Sequence, residues 1–246
     1  MSTPVMQDLA HAHIPEGHRL YVIGDIHGRA DLLQRLLVRI KTDISERTGV
    51  ETIYVFLGDY IDRGPASKEV IQTLVTLSEQ EHVVCLRGNH EAFLLEFLTR
   101  PVLLQHWSRY GALTTLMSYG LRPPIQPGTE ECAAIASSLQ EAMPQAHLDF
   151  IRKLPVSMTF GEFFFVHAGI RPHVALNEQN DEDLLWIREE FLLHRSPFEK
   201  VIVHGHTPVL EPEVLPNRIN IDTGAYATGR LTCLVVEANG IRFIDN

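Results

Sequence analysis

Cysteine is scarce in this sequence, and long apolar runs are missing. Three cysteines, Cys85, Cys132 and Cys233, are scattered through 246 residues with no CxxC pair. Such an odd, widely spaced set argues against a disulfide framework and suits a reducing cytosol. None of them heads a Cys-x5-Arg loop, because Glu91, Ser138 and Asn239 stand at that spacing. No apolar run approaches the roughly 18 residues of a membrane span. The N-terminus carries Pro4 and Asp8 where a secretory signal needs a basic start and an apolar stretch, so a cytoplasmic location is expected. Positive charge is also short: 21 Lys and Arg face 31 Asp and Glu, a formal charge of −10. That field repels nucleic acid and anionic membrane, so neither is expected as a partner, and an anionic substrate must be gripped by local cations. A GxxxxGK loop is absent, which removes support for a nucleotide-driven kinase or ATPase.

What is present is enough apolar material, 45%, for a sizeable core. One domain over 1–246 is expected, with a polar arm at 1–18. Leu32, Leu33, Leu36, Leu37 and Ile40 recur at helical spacing after the short run Tyr21-Val22-Ile23, and "TIYVFLGD" (52–59) follows as a continuous β-branched and aromatic strand. The alternation repeats with "SKEVIQTLVTL", for which Ser67 is the expected N-cap, then the strand "HVVCLRGN" (82–89) and the helix "EAFLLEFL". The stretch from about 100 to 147 differs, with helices around "LLQHWSRYGALTTLMSYG" and "EECAAIASSLQEAM" divided by "RPPIQPGT". It reads as a helical cap. Strands return with "EFFFVHAG", "KVIVHGHT", "RINID", "LTCLVVEA" and "IRFID".

Five of the apolar strands end in groups that can ligate a metal: Asp25 with His27, Asp59, Asn89 with His90, His167, and His204 with His206. In an open α/β sheet the carboxyl ends of the strands border one crevice, so these ends can converge. Nitrogen and oxygen donors without a thiolate point to a divalent-metal centre, in which Mn, Fe, Zn or Co can sit. Six donors with water fit two ions sharing a carboxylate, an arrangement that clamps a phosphate and activates water. His11, His13 and His18 read as solvated residues of the arm, and Glu91 as support for the helix that it begins.

The ordered set "GDIHG" (24–28), "GDYIDRG" (58–64), "LRGNHE" (86–91), "HAG" (167–169) and "GHT" (205–207) resembles the phosphoprotein phosphatase family of Ser/Thr phosphatases, within the calcineurin-like metallophosphoesterases. The resemblance implies an α/β fold with a central β-sandwich of mixed sheets flanked by helices, and two cations, Mn by family likeness. Asp25 and His27 would bind the first ion, Asp59 would bridge, and Asn89, His167 and His206 would complete the second. His90 would be the general acid, Asp62 would orient it, and Arg63 and Arg188 would hold the phosphate. A bridging hydroxide would attack phosphorus in line, with no phosphoenzyme. His204 is read as a support behind the ligands or a core residue, since Pro208 stands where a GHxH pattern needs its second histidine. The "GDYIDRG" and "LRGNHE" motifs look more like the protein phosphatases than their nucleotide-cleaving relatives, so a phosphorylated protein or a small phosphoester is expected as substrate of a broad-specificity phosphatase of bacterial or phage type. "RGPAS" and "HAGI" support the alternative, a symmetrical diadenosine tetraphosphate hydrolase. Oligomeric state has no signature here.

Overall fold

The computed structural model describes residues 12–80, 82–238 and 240–246. Strand β1 (His18–Ile23) is buried on both faces, as its unbroken apolar run demands. It pairs in parallel with β2 (Glu51–Phe56), and β2 with β3 (Val83–Cys85). Two later strands, antiparallel to each other, β9 (Thr232–Glu237) and β10 (Gly240–Asp245), close the other edge, giving the order β10-β9-β1-β2-β3. A second five-stranded sheet runs β4 (Ser157–Phe160), β5 (Phe163–Val166), β6 (Val201–His204), β8 (Arg218–Asn220), β7 (Glu213–Val214), with β5, β6 and β8 parallel. The strand ends that carry the candidate ligands therefore come from two facing sheets rather than one open sheet. The fold is that of the expected α/β metallophosphoesterase sandwich.

Alternation along each strand divides the core. Leu20 and Val22 face the second sheet and meet Phe163, Phe165, Val203 and Ile219 between the layers. Tyr21 and Ile23 face the other way, toward helices α1 (Ala30–Glu46) and α2 (Ser67–Ser78). Each fully buried side chain of this size contributes about 1.5–3 kcal/mol. On the outer face of the second sheet, Phe164, Val166 and Ile202 pack under α8 (Asp181–Trp186) and α9 (Glu189–Leu192), through Leu184 and Phe191. A one-turn helix, α10 (Ala225–Thr228), lies between β8 and β9.

The segment expected as a cap is helical but is built into the helical layer of the first sheet. After α3 (Asn89–Thr99) come α4 (Leu104–Trp107), α5 (Ala112–Ser118), α6 (Thr129–Ala142) and α7 (Gln145–Lys153). Trp107, Leu116, Cys132 and Leu139 join the same apolar cluster as Phe97 and Leu36. The chain breaks between α4 and α5 at Gly111, whose φ of 105° suits a residue without Cβ.

Three local expectations change. Ala66, not Ser67, occupies the N-cap of α2, and the Ser67 hydroxyl instead accepts the Asp62 N–H. Edge strands β4 and β7 went unread because they are short and only half-buried. The arm is not wholly polar and free: Ile14 is buried between the sheets, and the Glu162 N–H donates to the His13 carbonyl. His13 is exposed and His18 half-buried within β1, while His11 lies outside the described residues.

Candidate metal centre

The parallel strands β1, β2, β3, β5 and β6 end at or just before their polar groups, and the connections after β1, β2 and β6 turn through the left-handed region. His27, Asp59, Asp62, Arg63 and His206 have φ of 47°, 54°, 72°, 65° and 65°. A side-chain-bearing residue in that region costs on the order of 1–3 kcal/mol and persists only where neighbours enforce it. The enforcing contacts are visible. The His27 N–H donates to the Asp59 carbonyl at 2.8 Å, and the buried Glu91 carboxylate accepts from the backbone N–H of Gly88, Asp59 and Tyr60 at 2.9, 2.9 and 2.8 Å. Glu91 thus caps α3 and also pins the turn that carries Asp59. A Cβ at position 88 would strike the Asp59 carboxylate, so only glycine allows this approach.

The side chains that converge are rich in lone pairs and poor in donors. The His167 Nδ1–H donates to the Leu57 carbonyl at 3.0 Å, which leaves Nε2 as a lone pair 2.9 Å from Asn89 Oδ1 and 3.3 Å from Asp59 Oδ1. His27 repeats the pattern, donating through Nδ1 to the Ile61 carbonyl at 2.9 Å with Nε2 3.5 Å from Asp59 Oδ2. His206 places Nδ1 2.9 Å from Asn89 Oδ1, and its buried Nε2 has no hydrogen-bond partner. Burial drives the imidazole of His27 down to about 3 and that of His206 to about 2, so both are neutral at physiological pH and free to offer a lone pair to a cation. Burial, with Asp222 and Asp59 alongside, holds Asp25 well above the ordinary carboxylate range. At Asp59 burial acts in the same direction but is outweighed by His167, His90 and His27, which hold it low. Facing lone pairs and crowded carboxylates repel unless cations lie between them. Ligand atoms gather in two groups, His27-Asp59-His90 and Asp59-His167-His206, that share Asp59. The residues therefore fit two divalent ions with nitrogen and oxygen ligands.

His90 belongs to the first of these groups, with Nε2 3.7 Å from Asp59 Oδ2. Its Nδ1 is 2.6 Å from Asp62 Oδ2. Burial alone would lower this imidazole, but Asp59 and Asp62 outweigh burial and raise it. Asp62 is in turn held by the segment expected as a cap: the Trp107 Nε1–H donates to Oδ2 and the Thr115 hydroxyl to Oδ1, each at 2.5 Å. That is the segment's contribution to the site.

Two guanidinium groups border the centre. Arg63 lies 4.3 Å over the Tyr226 ring and acts on Asp25, His27 and His90, whereas Arg188 donates to Thr207 Oγ1 at 3.0 Å and acts on His167 and His206. Of the two readings of His204, the structure shows a buried one: its Nδ1 donates to the Gly205 carbonyl and its Nε2 faces Arg218 at 3.4 Å. All ten residues singled out in the sequence stand in or beside this centre. One was missed. Asp222 is buried, accepts from the Gly224 N–H at 2.9 Å, and is pushed up to about 6 by burial and by Asp59. The strand "RINID" ends in it, so the signal used at the other strands would have found it.

Relatives supply a second line of argument. An asymmetrical bis(5'-nucleosyl)-tetraphosphatase PrpE of Bacillus anthracis is 31% identical over 232 residues, covering 87% of this chain and 88% of its own. Its counterpart in Anoxybacillus flavithermus is 29% identical over 233 residues, with 87% and 88% covered. A crystal structure provisionally assigned as a diadenosine tetraphosphatase superposes with a TM-score of 0.65 at 20% identity, over 96% of this chain and 99% of that one, a likeness of fold. The family model for calcineurin-like phosphoesterases matches residues 18–241, from the first strand to the last. With that match, the chain belongs to the calcineurin-like phosphoesterase family.

Proposed function

We propose that this chain is a metal-dependent hydrolase of the polyphosphate bridge in dinucleoside tetraphosphates, cleaving it asymmetrically. The observation that carries the substrate is the run of relatives bearing that name, matched along most of both chains. The expected phosphoprotein substrate gives way to the small-phosphoester alternative, and symmetrical cleavage within that alternative gives way to asymmetrical. The motifs "GDYIDRG" and "LRGNHE" misled because they specify the phosphorus chemistry, which the two activities share, and say little about what the phosphate is attached to.

Asp25, His27 and Asp59 would hold one divalent cation, and Asp59, Asn89, His167 and His206 the other. Such ions polarise a phosphate and make water a competent nucleophile near neutral pH. Arg63 and Arg188, flanking the centre, bind non-bridging oxygens and offset the charge of a substrate that the molecule's −10 field would repel. Asp62 holds His90 by Nδ1, so that Nε2 can give its proton to the departing phosphate oxygen. Glu91 keeps the Asp59 turn in place and needs no contact with substrate.

The test is product analysis. With Mn added, diadenosine tetraphosphate should yield one nucleoside triphosphate and one monophosphate, at a kcat/KM well above that for a phosphoserine peptide. Two diphosphates would return the symmetrical reading, and preference for the peptide would restore the protein phosphatase.

A further inference from the structure

Among the described residues, the exposed aromatic side chains are Tyr110, Trp186 and Tyr226, at 38%, 36% and 39%. All three touch imidazoles of the metal centre. Ring centroids lie 6.5 Å apart for Tyr110 and His90, 6.4 Å for Trp186 and His206, and 5.4 Å for Tyr226 and His27. Tyr226 is already engaged by the Arg63 guanidinium. The other two form a wall. Phe93 of α3 stacks on Tyr110 at 5.6 Å and 26°, and meets Trp186 edge-on at 4.9 Å and 87°. Phe93 is buried, so both outer rings are fixed from behind while remaining open to solvent.

We infer that the Tyr110–Phe93–Trp186 wall is a nucleobase subsite, where one purine of the substrate lies against the aromatic surface while its phosphates reach the ions. This inference rests on the nucleotide reading above and adds where the base goes. Two features favour a base over a purely apolar occupant. Arg188 follows Trp186 by two positions and is tied to Thr207 beside His206, so a cation for phosphate stands next to a ring for the base. The distance is also short. In asymmetrical cleavage the broken bridge adjoins a nucleoside, and only a ribose separates that nucleoside's first phosphorus from its base. A symmetrical cut would leave both bases a further phosphate away from the ions. Stacking is tolerant of which base is present, because every base offers a π face, so the subsite discriminates nucleotides from bare phosphates rather than adenine from guanine.

The experiment is calorimetric titration of the Mn-loaded chain with AMP, ribose 5-phosphate and phenyl phosphate, on wild type and on Tyr110→Leu/Trp186→Leu, which keeps apolar bulk and removes both rings. Wild type should bind AMP more tightly than ribose 5-phosphate by about 5- to 150-fold, and the leucine variant should lose that preference. Tyr110→Phe/Trp186→Phe should retain most of it. Equal affinity for AMP and ribose 5-phosphate in wild type overturns the subsite, with no variant needed. So does a preference that survives the leucine substitutions, or phenyl phosphate binding as tightly as AMP. Failure of wild type to cleave diadenosine tetraphosphate would instead remove the activity proposed above and leave these binding ratios to decide the subsite.

Discussion

Asp62 takes up three strong donors, His90 Nδ1, Trp107 Nε1 and the Thr115 hydroxyl, and has no exposed surface. A buried carboxylate so crowded has one orientation available, and His90 inherits it. His90→Asn should reduce turnover of substrates with poor leaving groups by about 10²–10⁴, with metal content unchanged. Equal turnover would remove the general-acid role. Trp107→Phe deletes one donor to the carboxylate and keeps the ring's bulk. It should lower kcat by about 10- to 100-fold with little change in KM, and by less for p-nitrophenyl phosphate, whose leaving group needs no proton. A uniform loss across leaving groups would mean that Trp107 acts only through packing. The candidate ligands were legible because a carboxylate or imidazole is conspicuous at the end of an apolar strand. Trp107 and Thr115 were not, since their partner lies 45 and 53 positions away and each is an unremarkable residue in a short helix.

Helix α1 is attached to the first sheet by more than its leucine stripe. Asp43, in its penultimate turn, accepts the Tyr21 hydroxyl from β1 at 2.6 Å and a guanidinium N–H of Arg242 from β10. Burial would raise this carboxyl, but the Tyr21 and Arg242 hydrogen bonds prevail and lower it. A carboxyl whose folded value lies below its unfolded one stabilises the fold above the unfolded value, near 4, and loses that contribution as the pH falls through the folded value. Asp43→Asn should therefore cost about 1–3 kcal/mol in urea denaturation at pH 7, and the difference from wild type should shrink toward pH 3. A pH-independent difference would assign the loss to packing. At this scale the sequence was read well where periodicity is long, as in α1, and poorly where pairing partners decide the outcome. The four residues of β4 and two of β7 become strands only because β5 and β8 lie alongside. Ser67 carries a good N-cap side chain, yet it is drawn inward by Thr115, at 3.0 Å, and the Asp62 N–H.

The whole molecule places like-signed and lone-pair-bearing groups together at the junction of two sheets, so the ions should contribute to stability as well as to catalysis. Each site filled at about 100 times its dissociation constant adds about 2.7 kcal/mol, which for a chain of this length raises Tm by about 5–10 °C per ion. Calorimetry with Mn and with a chelator should show that gap and full loss of hydrolysis in the chelated sample. Identical melting curves would contradict the centre. Sequence order hid the larger architecture, because the pairing of β1 with β9 joins opposite ends of the chain and no local pattern encodes it.

That the proposed ligands come from both sheets has a further consequence. Asp25, His27, Asp59 and Asn89 precede the exposed turn at 122–126, while His167 and His206 follow it. A protease nick there would yield two pieces, each holding an incomplete share of the coordination sphere. Divalent cations would then act as rivets between separate polypeptides, and chelation would become a means of pulling the nicked enzyme apart.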